Sequence, residues 1–278
     1  MAKTDEEIVS AFLQELEEEK KTFTGYKKIK SQWADFIKCD WVEHLDKPDF
    51  PLKDKVKIVE GLDLKSKVFG TYRSIFQYLR PLIKEVNEKE NRPFKILEVA
   101  GGLGDLSIGL YGEFAKSKEG LKVQITGSDI VPGYIDLSAK KAAKKKYPVE
   151  FKIIDALDIS KTETDQFDIV IALHSIHHFP ALELFQLIKK SQVIAKYGLF
   201  AVDATQNIPN MMFMCFSAML PTTFFLNGMY IHDAFISARK MHTRPFLRRL
   251  GVLAAPNAKV ECAKLSIGLN YLRVDPRS

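Results

Sequence analysis

A cluster of small residues at positions 95 to 110, KILEVAGGLGDLSIGL, has the residue types and spacing of a ligand-binding turn. An apolar run leads into Ala100, Gly101, Gly102 and Gly104, and apolar residues at helical spacing follow them. Glycines in such a turn let the backbone approach a ligand, because no side chain holds it away. The pattern therefore predicts a nucleotide-like ligand at a loop between a strand and a helix.

Two common phosphate-binding loops do not match this turn. A dinucleotide-binding loop requires a third glycine at the G-x-G-x-x-G spacing. Here Gly102 and Gly104 are followed by DLS, so the third glycine is missing, and Asp105 would bring a negative charge towards a phosphate. A Walker loop requires GK followed by Ser or Thr, which the sequence lacks. The ligand is therefore expected to carry no phosphate at this turn.

Carboxylates follow two later strand-like runs. ITGSDI ends in Asp129 and Ile130, and FKIIDALDI carries Asp155 and Ala156. In an open α/β sheet the ligand lies beyond the carboxyl ends of the strands, where the strand order reverses. A carboxylate there, such as Asp129, can accept hydrogen bonds from both hydroxyls of a ribose. The alternatives for these residues are a helix cap at Asp129 and a turn at Asp155.

The segments together resemble the class I S-adenosylmethionine-dependent methyltransferases. The first motif of that family is an acid followed by three alternating glycines. Glu98 to Gly104 matches it with Ala100 in place of the first glycine. FDIVIALHSIHHF resembles the family's fourth strand and the loop after it, and GLFAVDA resembles the fifth strand. The resemblance covers roughly residues 94 to 206, with the motifs in the family's order.

The resemblance implies that S-adenosyl-L-methionine is the cofactor and methyl donor. It also implies that Asp129 holds the ribose and that Asp155 and Ala156 contact the adenine. The glycine turn would approach the amino-acid end of the donor, and N-terminal helices would close over it. The cofactor-binding residues expected in this way are Tyr72, Arg73, Glu98, Ala100, Gly101, Gly102, Asp129, Ile130, Asp155, Ala156 and His174.

His177 and His178, which follow the fourth strand, are the candidate catalytic residues. Either could take a proton from the acceptor, while His174 could contact the donor. Packing or backbone support is the alternative for all three, because the family often carries histidines here without a chemical role. No third soft ligand lies nearby at a spacing typical of zinc, so the sequence predicts no metal site.

The elements that must position these residues alternate along the chain. Runs rich in Val and Ile, separated by helical segments, predict a mostly parallel sheet covered on both faces. KVECAKLSIGLNYLRVD predicts a closing antiparallel hairpin that turns near Ser266 to Gly268. The fold class is α/β, and the resemblance implies a Rossmann-like methyltransferase fold with a seven-stranded sheet.

The first ninety residues are predicted to form a helical cover. Apolar residues recur at helical spacing in residues 8 to 16 and again in residues 67 to 86. The charged segment NEKENRP then marks the expected boundary. It separates a cover at residues 1–90 from a donor-binding domain at residues 91–278, which contains an apolar acceptor-side insertion at residues 208–246.

Composition limits the expected partners and compartment. A net charge of +6 with 46% hydrophobic and 27% charged residues is typical of a soluble globular protein and does not favour nucleic acid. Three scattered cysteines and an N-terminus without a signal-peptide pattern predict a cytoplasmic protein. Pro209 and Pro221 interrupt the apolar run at residues 208 to 231, so no transmembrane span is expected.

The flanking segments narrow the expected acceptor. EHLDKPDFPLKDKVKIVEGLDLKSKVFGTYRSIF and HDAFISARKMHTRPFLRRLG resemble bacterial methyltransferases of small, often apolar molecules such as phenols, quinones, polyketides or lipid-like compounds. The Met- and Phe-rich run MMFMCFSAMLPTTFFL is expected to contact such an acceptor, with Arg239 and His242 as polar anchors. Packing of this run on the sheet, or a homodimer interface, is the alternative.

Two other functions stay open from the sequence. One is an RNA methyltransferase, although the Asn-Pro-Pro-aromatic tetrad is missing after the fourth strand. The sequence also has no stripe of aromatic residues alternating with Arg or Lys, which a single-strand platform needs. The other is a protein that binds the donor without turnover, because an intact Glu98 and Asp129 argue for binding alone.

Overall fold

The structure is a computed structural model that describes residues 3–25, 27–28, 31–32, 35, 41–47, 49–159, 166–206, 212 and 228–277. The helices of this described part are α1 Asp5–Lys21, α2 Leu52–Val68, α3 Thr71–Glu90, α4 Asp105–Ser117, α5 Pro132–Lys145, α6 Ala181–Ile194, α7 Gly228–Lys240 and α8 Arg244–Ala254. The strands are β1 Phe94–Glu98, β2 Val123–Asp129, β3 Val149–Ile153, β4 Ile169–Leu173, β5 Leu199–Asp203, β6 Lys259–Ser266 and β7 Leu269–Asp275.

The seven strands form one sheet in the order β3-β2-β1-β4-β5-β7-β6. Strands β1 to β5 pair in parallel, and β7 pairs antiparallel with both β5 and β6. The predicted α/β class and the closing hairpin are therefore confirmed. Because the chain moves outwards from β1 in both directions, the strand order reverses between β1 and β4.

Apolar side chains cover the sheet on both faces. Neighbouring residues of one strand enter different cores, as Ile96 and Leu97 do. Helices α3 and α4 pack over the core that contains Ile96, whereas α1, α6 and α8 pack over the core that contains Leu97. Side chains that alternate in this way explain why the strands read as continuous apolar runs rather than as alternating patterns.

The N-terminal helices differ in detail from the sequence prediction. Residues 67 to 86 were expected to form one apolar stripe, but α2 ends at Val68 and α3 begins at Thr71. Gly70 lies between them with a φ of 64°, a left-handed conformation that ends a helix easily. Helix α3 then continues to Glu90 and packs on the sheet. The division into a cover and a donor-binding domain stays a prediction.

None of the helices in the described part of the chain combines the length and the apolar character that a transmembrane span requires.

Candidate active site

The predicted site residues gather at the carboxyl edge of the sheet. The turn from Ala100 to Gly104 follows β1, Asp129 ends β2, and Asp155 follows β3. His174 follows β4, next to the point where the strand order reverses. Parallel strands bring their carboxyl ends to one edge, so these distant positions share a crevice.

The glycine turn is held by hydrogen bonds to the neighbouring strand. The N–H of Gly101 donates to the carbonyl of Ser128 at 2.8 Å, and the N–H of Gly102 donates to Asp129 Oδ2 at 2.8 Å. Ala100 and Gly102 both have a left-handed φ, of 49° and 54°. Ala100 thus adopts the conformation that the family's first glycine would allow without strain.

Glu98 supports this turn from beneath. Its side chain is 2% exposed, and Oε2 accepts hydrogen bonds from the N–H of Ser107 at 3.1 Å and from the Ser107 hydroxyl. A Cβ added at Gly101 would lie 2.6 Å from Glu98 Cδ, so only glycine fits above the carboxylate. Burial raises the pKa of Glu98 to about 8, although the bonds from Ser107 oppose this shift.

Asp129 joins the turn to the start of α5. Its side chain accepts hydrogen bonds from Gly102 through Oδ2 and from the N–H of Val131 through Oδ1, the latter at 2.9 Å. Asp129 is 8% exposed, and burial raises the pKa of its carboxyl group. Each carboxylate oxygen can accept a further bond, so two hydroxyls can still bind here. Ile130 beside it is 60% exposed, which leaves an apolar surface at the crevice.

Asp155 and Ala156 occupy the equivalent place after β3. The Asp155 side chain is exposed, and its Oδ1 accepts a local bond from the N–H of Leu157 at 2.8 Å. Ala156 is buried. Asp155 is therefore less constrained than Asp129, which the surrounding backbone holds through two amides.

Helix α2 lies across the carboxyl edge of three strands. A Cβ added at Gly133, after β2, would lie 2.9 Å from Leu52 Cδ2. One added at Gly102, after β1, would lie 3.8 Å from Val59 Cγ1. At the far end of α2, Ser66 Oγ is 3.4 Å from His174 Nε2, after β4. The helix therefore runs over the crevice from β2 to β4.

Tyr72 and Arg73 occupy different surroundings at the start of α3. Tyr72 is buried, and its hydroxyl donates to Asp63 Oδ1 at 2.8 Å, which ties α3 to α2. Burial, reinforced by Asp63 and Asp105, raises the pKa of Tyr72 well above its usual value. Arg73 is exposed.

Two of the three histidines, His174 and His177, converge on Asp203, the last residue of β5. His177 Nδ1–H donates to Asp203 Oδ2 at 2.7 Å, and His174 Nδ1 is 3.9 Å from Asp203 Oδ1. Although burial opposes it, the two imidazoles hold the pKa of Asp203 well below its usual range. Burial lowers the pKa of His174, despite Asp203. Burial would also lower the pKa of His177, but Asp203 and Glu43 outweigh it, so that pKa is raised.

Two carboxylates from the N-terminal part of the chain complete this cluster. Glu43 Oε1 is 3.9 Å from His177 Nε2, and Glu43 Oε2 is 3.9 Å from His178 Nε2. His178 Nδ1 lies 3.1 Å from Asp46 Oδ1. The sequence analysis missed both carboxylates as well as Asp203. Asp203 could have been found from its place at a strand's carboxyl end, whereas no sequence signal connects Glu43 to the histidines.

Comparison with known proteins finds a family match in the central part of the chain. A family model described as a methyltransferase domain matches residues 96–198, which span the glycine turn, Asp129 and the histidines. Residues 96–198 are therefore similar to a methyltransferase domain. The resemblance predicted from the sequence is thus confirmed for this stretch.

A known relative is similar to part of this chain. The demethylmenaquinone methyltransferase of Deinococcus radiodurans is 33% identical over 87 residues, which are 31% of this chain. The aligned part is 33% of that relative, so the match spans about a third of its length.

Solved structures show the same fold. A plantazolicin methyltransferase bound to S-adenosylhomocysteine aligns with a TM-score of 0.56 at 14% identity, covering 82% of this chain and 92% of that one. The magnesium protoporphyrin IX methyltransferase of Synechocystis PCC 6803, also with S-adenosylhomocysteine, gives 0.50 at 15% identity, covering 84% and 90%. At this identity the likeness concerns the fold alone.

A pocket of about 70 Å³ lies beside the histidines of the methyltransferase domain. Its lining includes Glu43, all three histidines and the hairpin turn near Gly268. The apolar part of its lining consists of Leu45, Ile58, Leu62, Phe69, Ala204, Tyr230, Ala234, Met241, Ile267 and Leu269. Apolar walls with a few polar groups are typical of small-molecule sites.

The predicted acceptor segment is only partly described. Most of the run MMFMCFSAMLPTTFFL, at residues 211 to 226, lies outside the described residues. Beyond it, Arg239 packs over the rings of Trp41 and Phe235, and His242 donates from Nε2 to the carbonyl of Phe179 at 3.3 Å. Burial lowers the pKa of His242 to about 4. Neither side chain belongs to the pocket lining, so their role as anchors stays a prediction.

Proposed function

We propose that this protein binds S-adenosylmethionine at the glycine turn and transfers its methyl group to a small, mostly apolar acceptor. The observation that carries the proposal is the position of Asp129. Its carboxylate is bonded to the N–H of Gly102 in the turn and still has free lone pairs for ribose hydroxyls. An apolar pocket lined by histidines lies at the neighbouring strand ends of the same domain.

The donor would lie along the crevice under α2. Its amino-acid end would meet Ala100, Gly101 and Gly102, and its ribose would bind Asp129. Its adenine would lie against the exposed side chain of Ile130. Asp155, Ala156, Tyr72, Arg73 and His174 remain the further predicted contacts, and Glu98 would hold the turn in shape from beneath.

The reaction would be an in-line displacement. A nucleophilic atom of the acceptor forms a bond to the methyl carbon while the carbon–sulfur bond breaks, and S-adenosylhomocysteine leaves. Because the sulfonium is already activated, the protein mainly supplies proximity and alignment. An acceptor phenol with a pKa near ~10 must also lose its proton, which His177 or His178 would take.

The choice of a small apolar acceptor is supported by the pocket lining. Its walls are largely aliphatic and aromatic, while its polar lining includes Glu43 and the three histidines. A ligand with an apolar body and one polar reactive group would match that division. The Deinococcus relative is named for a quinone acceptor, which has this character.

Transfer of label from the donor tests the proposed reaction. Purified protein incubated with methyl-labelled S-adenosylmethionine is expected to label members of a panel of phenols and quinones. Mass spectrometry of the products then gives the methylated atom. Label found only on RNA would indicate an RNA methyltransferase. Donor binding without transfer to any small molecule or RNA would favour a regulatory protein without turnover.

Donor binding is also expected to slow amide hydrogen exchange in α2. The helix lies over the crevice, with Val59 near Gly102 and Leu52 near Gly133, so a ligand beneath it should stabilise its closed position. Exchange measured by mass spectrometry with and without S-adenosylhomocysteine tests this. Helix α8, which packs in the core on the sheet rather than at the crevice, serves as the internal control. Protection confined to the strand-end loops, with α2 unchanged, would contradict the cover.

A further inference from the structure

Two imidazoles and one carboxylate meet in the lining of the pocket. The potential ligand atoms of Glu43, His177 and His178 all lie within 4.8 Å of one another. Each oxygen of Glu43 is 3.9 Å from the Nε2 of one histidine. Zinc binds such atoms at about 2.0–2.2 Å, so an ion between them needs only small adjustments.

The hydrogen bonds of both histidines leave the facing nitrogens available. Asp203 accepts the Nδ1–H of His177 at 2.7 Å, and Asp46 faces Nδ1 of His178 at 3.1 Å. In the neutral rings, each Nε2 then carries a lone pair on the side of Glu43. A carboxylate behind each imidazole is the arrangement that orients metal-binding histidines in proteins.

Two buried polar atoms at this place lack hydrogen bonds. Glu43 is 1% exposed and His177 is 8% exposed. Neither Glu43 Oε1 nor His177 Nε2 has a hydrogen-bond partner among the described residues. Leaving a buried polar atom without a hydrogen bond destabilises the fold, and more so when the atom is charged. A cation between these two atoms would satisfy both.

The negative charge around the histidines also favours binding of a cation. The carboxylates of Glu43, Asp46 and Asp203 contact the two rings, and Lys240 pairs with two of these three carboxylates. Its Nζ is 3.6 Å from Glu43 Oε1 and 3.2 Å from Asp46 Oδ2. The cluster therefore keeps an excess of negative charge while the histidines are neutral. A divalent ion balances that excess, and a proton on His177 is the competing way to reduce it.

We propose that Glu43, His177 and His178 bind a divalent transition-metal ion, with Zn²⁺ as the best match to two imidazoles and a carboxylate. Three protein ligands leave a coordination position open, as in catalytic zinc sites. The pocket borders all three residues, so an oxygen of the acceptor could occupy that position. This role in catalysis rests on the proposed function, whereas metal binding itself does not.

A second cluster supplies a matched control. His44, His232 and Asp233 also lie within reach of one ion. There, however, Nδ1 of His44 and Nδ1 of His232 both contact Asp233 Oδ1, at 2.7 and 2.9 Å. Hydrogen bonds already account for the orientation of that group. We therefore expect His232→Ala to leave metal binding unchanged.

Calorimetric titration with ZnCl₂ tests the metal site. The full-length protein is first stripped with a chelator and its folding is checked by circular dichroism. One equivalent of Zn²⁺ is expected to bind. Glu43→Gln, which keeps the side-chain shape, and His178→Ala, at a partly exposed position, should each weaken binding at least about tenfold. Visible absorption of bound Co²⁺ provides a second readout of the same ligands.

Three results would overturn the metal site: no Zn²⁺ binding to the wild-type protein, undiminished binding by both variants, or loss of binding in His232→Ala. Titration of the same samples with S-adenosylhomocysteine tests the proposed function separately from the metal site. The donor product should bind all variants alike. Zinc binding without binding of S-adenosylhomocysteine to the wild type would sink the methyl-transfer proposal while supporting the metal site.

Discussion

Glu98→Gln is expected to raise the free energy of unfolding by up to about 4 kcal/mol at alkaline pH. The folded-state pKa of Glu98 is raised by burial to about 8, from 4.5 for an ordinary glutamate. Between these two values the folded protein holds a proton that the unfolded chain has released. The stability that this proton contributes is complete below the unfolded pKa and is lost as pH rises through the folded one. Glutamine keeps the buried neutral form at every pH.

Urea unfolding of both proteins across the pH range measures this effect. The two unfolding free energies should be similar near pH 4 and should separate progressively towards about pH 9. Glu150→Gln, at an exposed position in β3, is the control and should change stability by less than about 0.5 kcal/mol. A wild-type protein that lost no stability relative to Glu98→Gln on raising the pH would show that Glu98 is charged in the folded state.

Asp129→Ala is expected to weaken binding of S-adenosylhomocysteine at least about tenfold, because charge-assisted hydrogen bonds contribute ~1.5–3 kcal/mol. The substitution removes the acceptor for the ribose hydroxyls. It also frees the N–H groups of Gly102 and Val131, which now donate to the carboxylate and hold the turn. Both effects act in the same direction on the ligand site.

Asp155→Ala is the matched control for Asp129→Ala. Asp155 is exposed and accepts a local hydrogen bond from the N–H of Leu157. Asp155→Ala should therefore weaken binding of S-adenosylhomocysteine less than Asp129→Ala does. Isothermal calorimetry on both variants and the wild type gives the comparison. Equal and negligible losses in both variants would mean that the ribose lies elsewhere.

The sheet and its ligand edge could be predicted from the sequence because both depend on local patterns. Val- and Ile-rich runs identify parallel strands, and the rule that ligands lie at strand carboxyl ends selects the turn at Gly101 and the carboxylate of Asp129. The break between α2 and α3 was missed because Phe69 continues the apolar stripe. Only the left-handed conformation of Gly70 shows that the helix ends there.

The histidine cluster could be predicted only in part. The sequence placed His177 and His178 after β4, but the residues that orient them come from β5 and from the segment before α2. Asp203 is the last residue of β5, so the rule that ligands lie at strand carboxyl ends could have identified it. Glu43 and Asp46 reach the histidines only because α2 and α7 pack beside the pocket, a long-range arrangement that no local pattern encodes. The sequence argument against a metal considered only ligands near in the chain.

The central claim is that the turn after β1 binds S-adenosylmethionine, and calorimetric titration of the wild-type protein tests it most directly. S-adenosylhomocysteine and NAD are titrated separately into the same preparation. The account predicts that S-adenosylhomocysteine binds at one site with a dissociation constant in the micromolar range, about −8 kcal/mol, and that NAD binds far more weakly. Tighter binding of NAD than of S-adenosylhomocysteine would contradict the account.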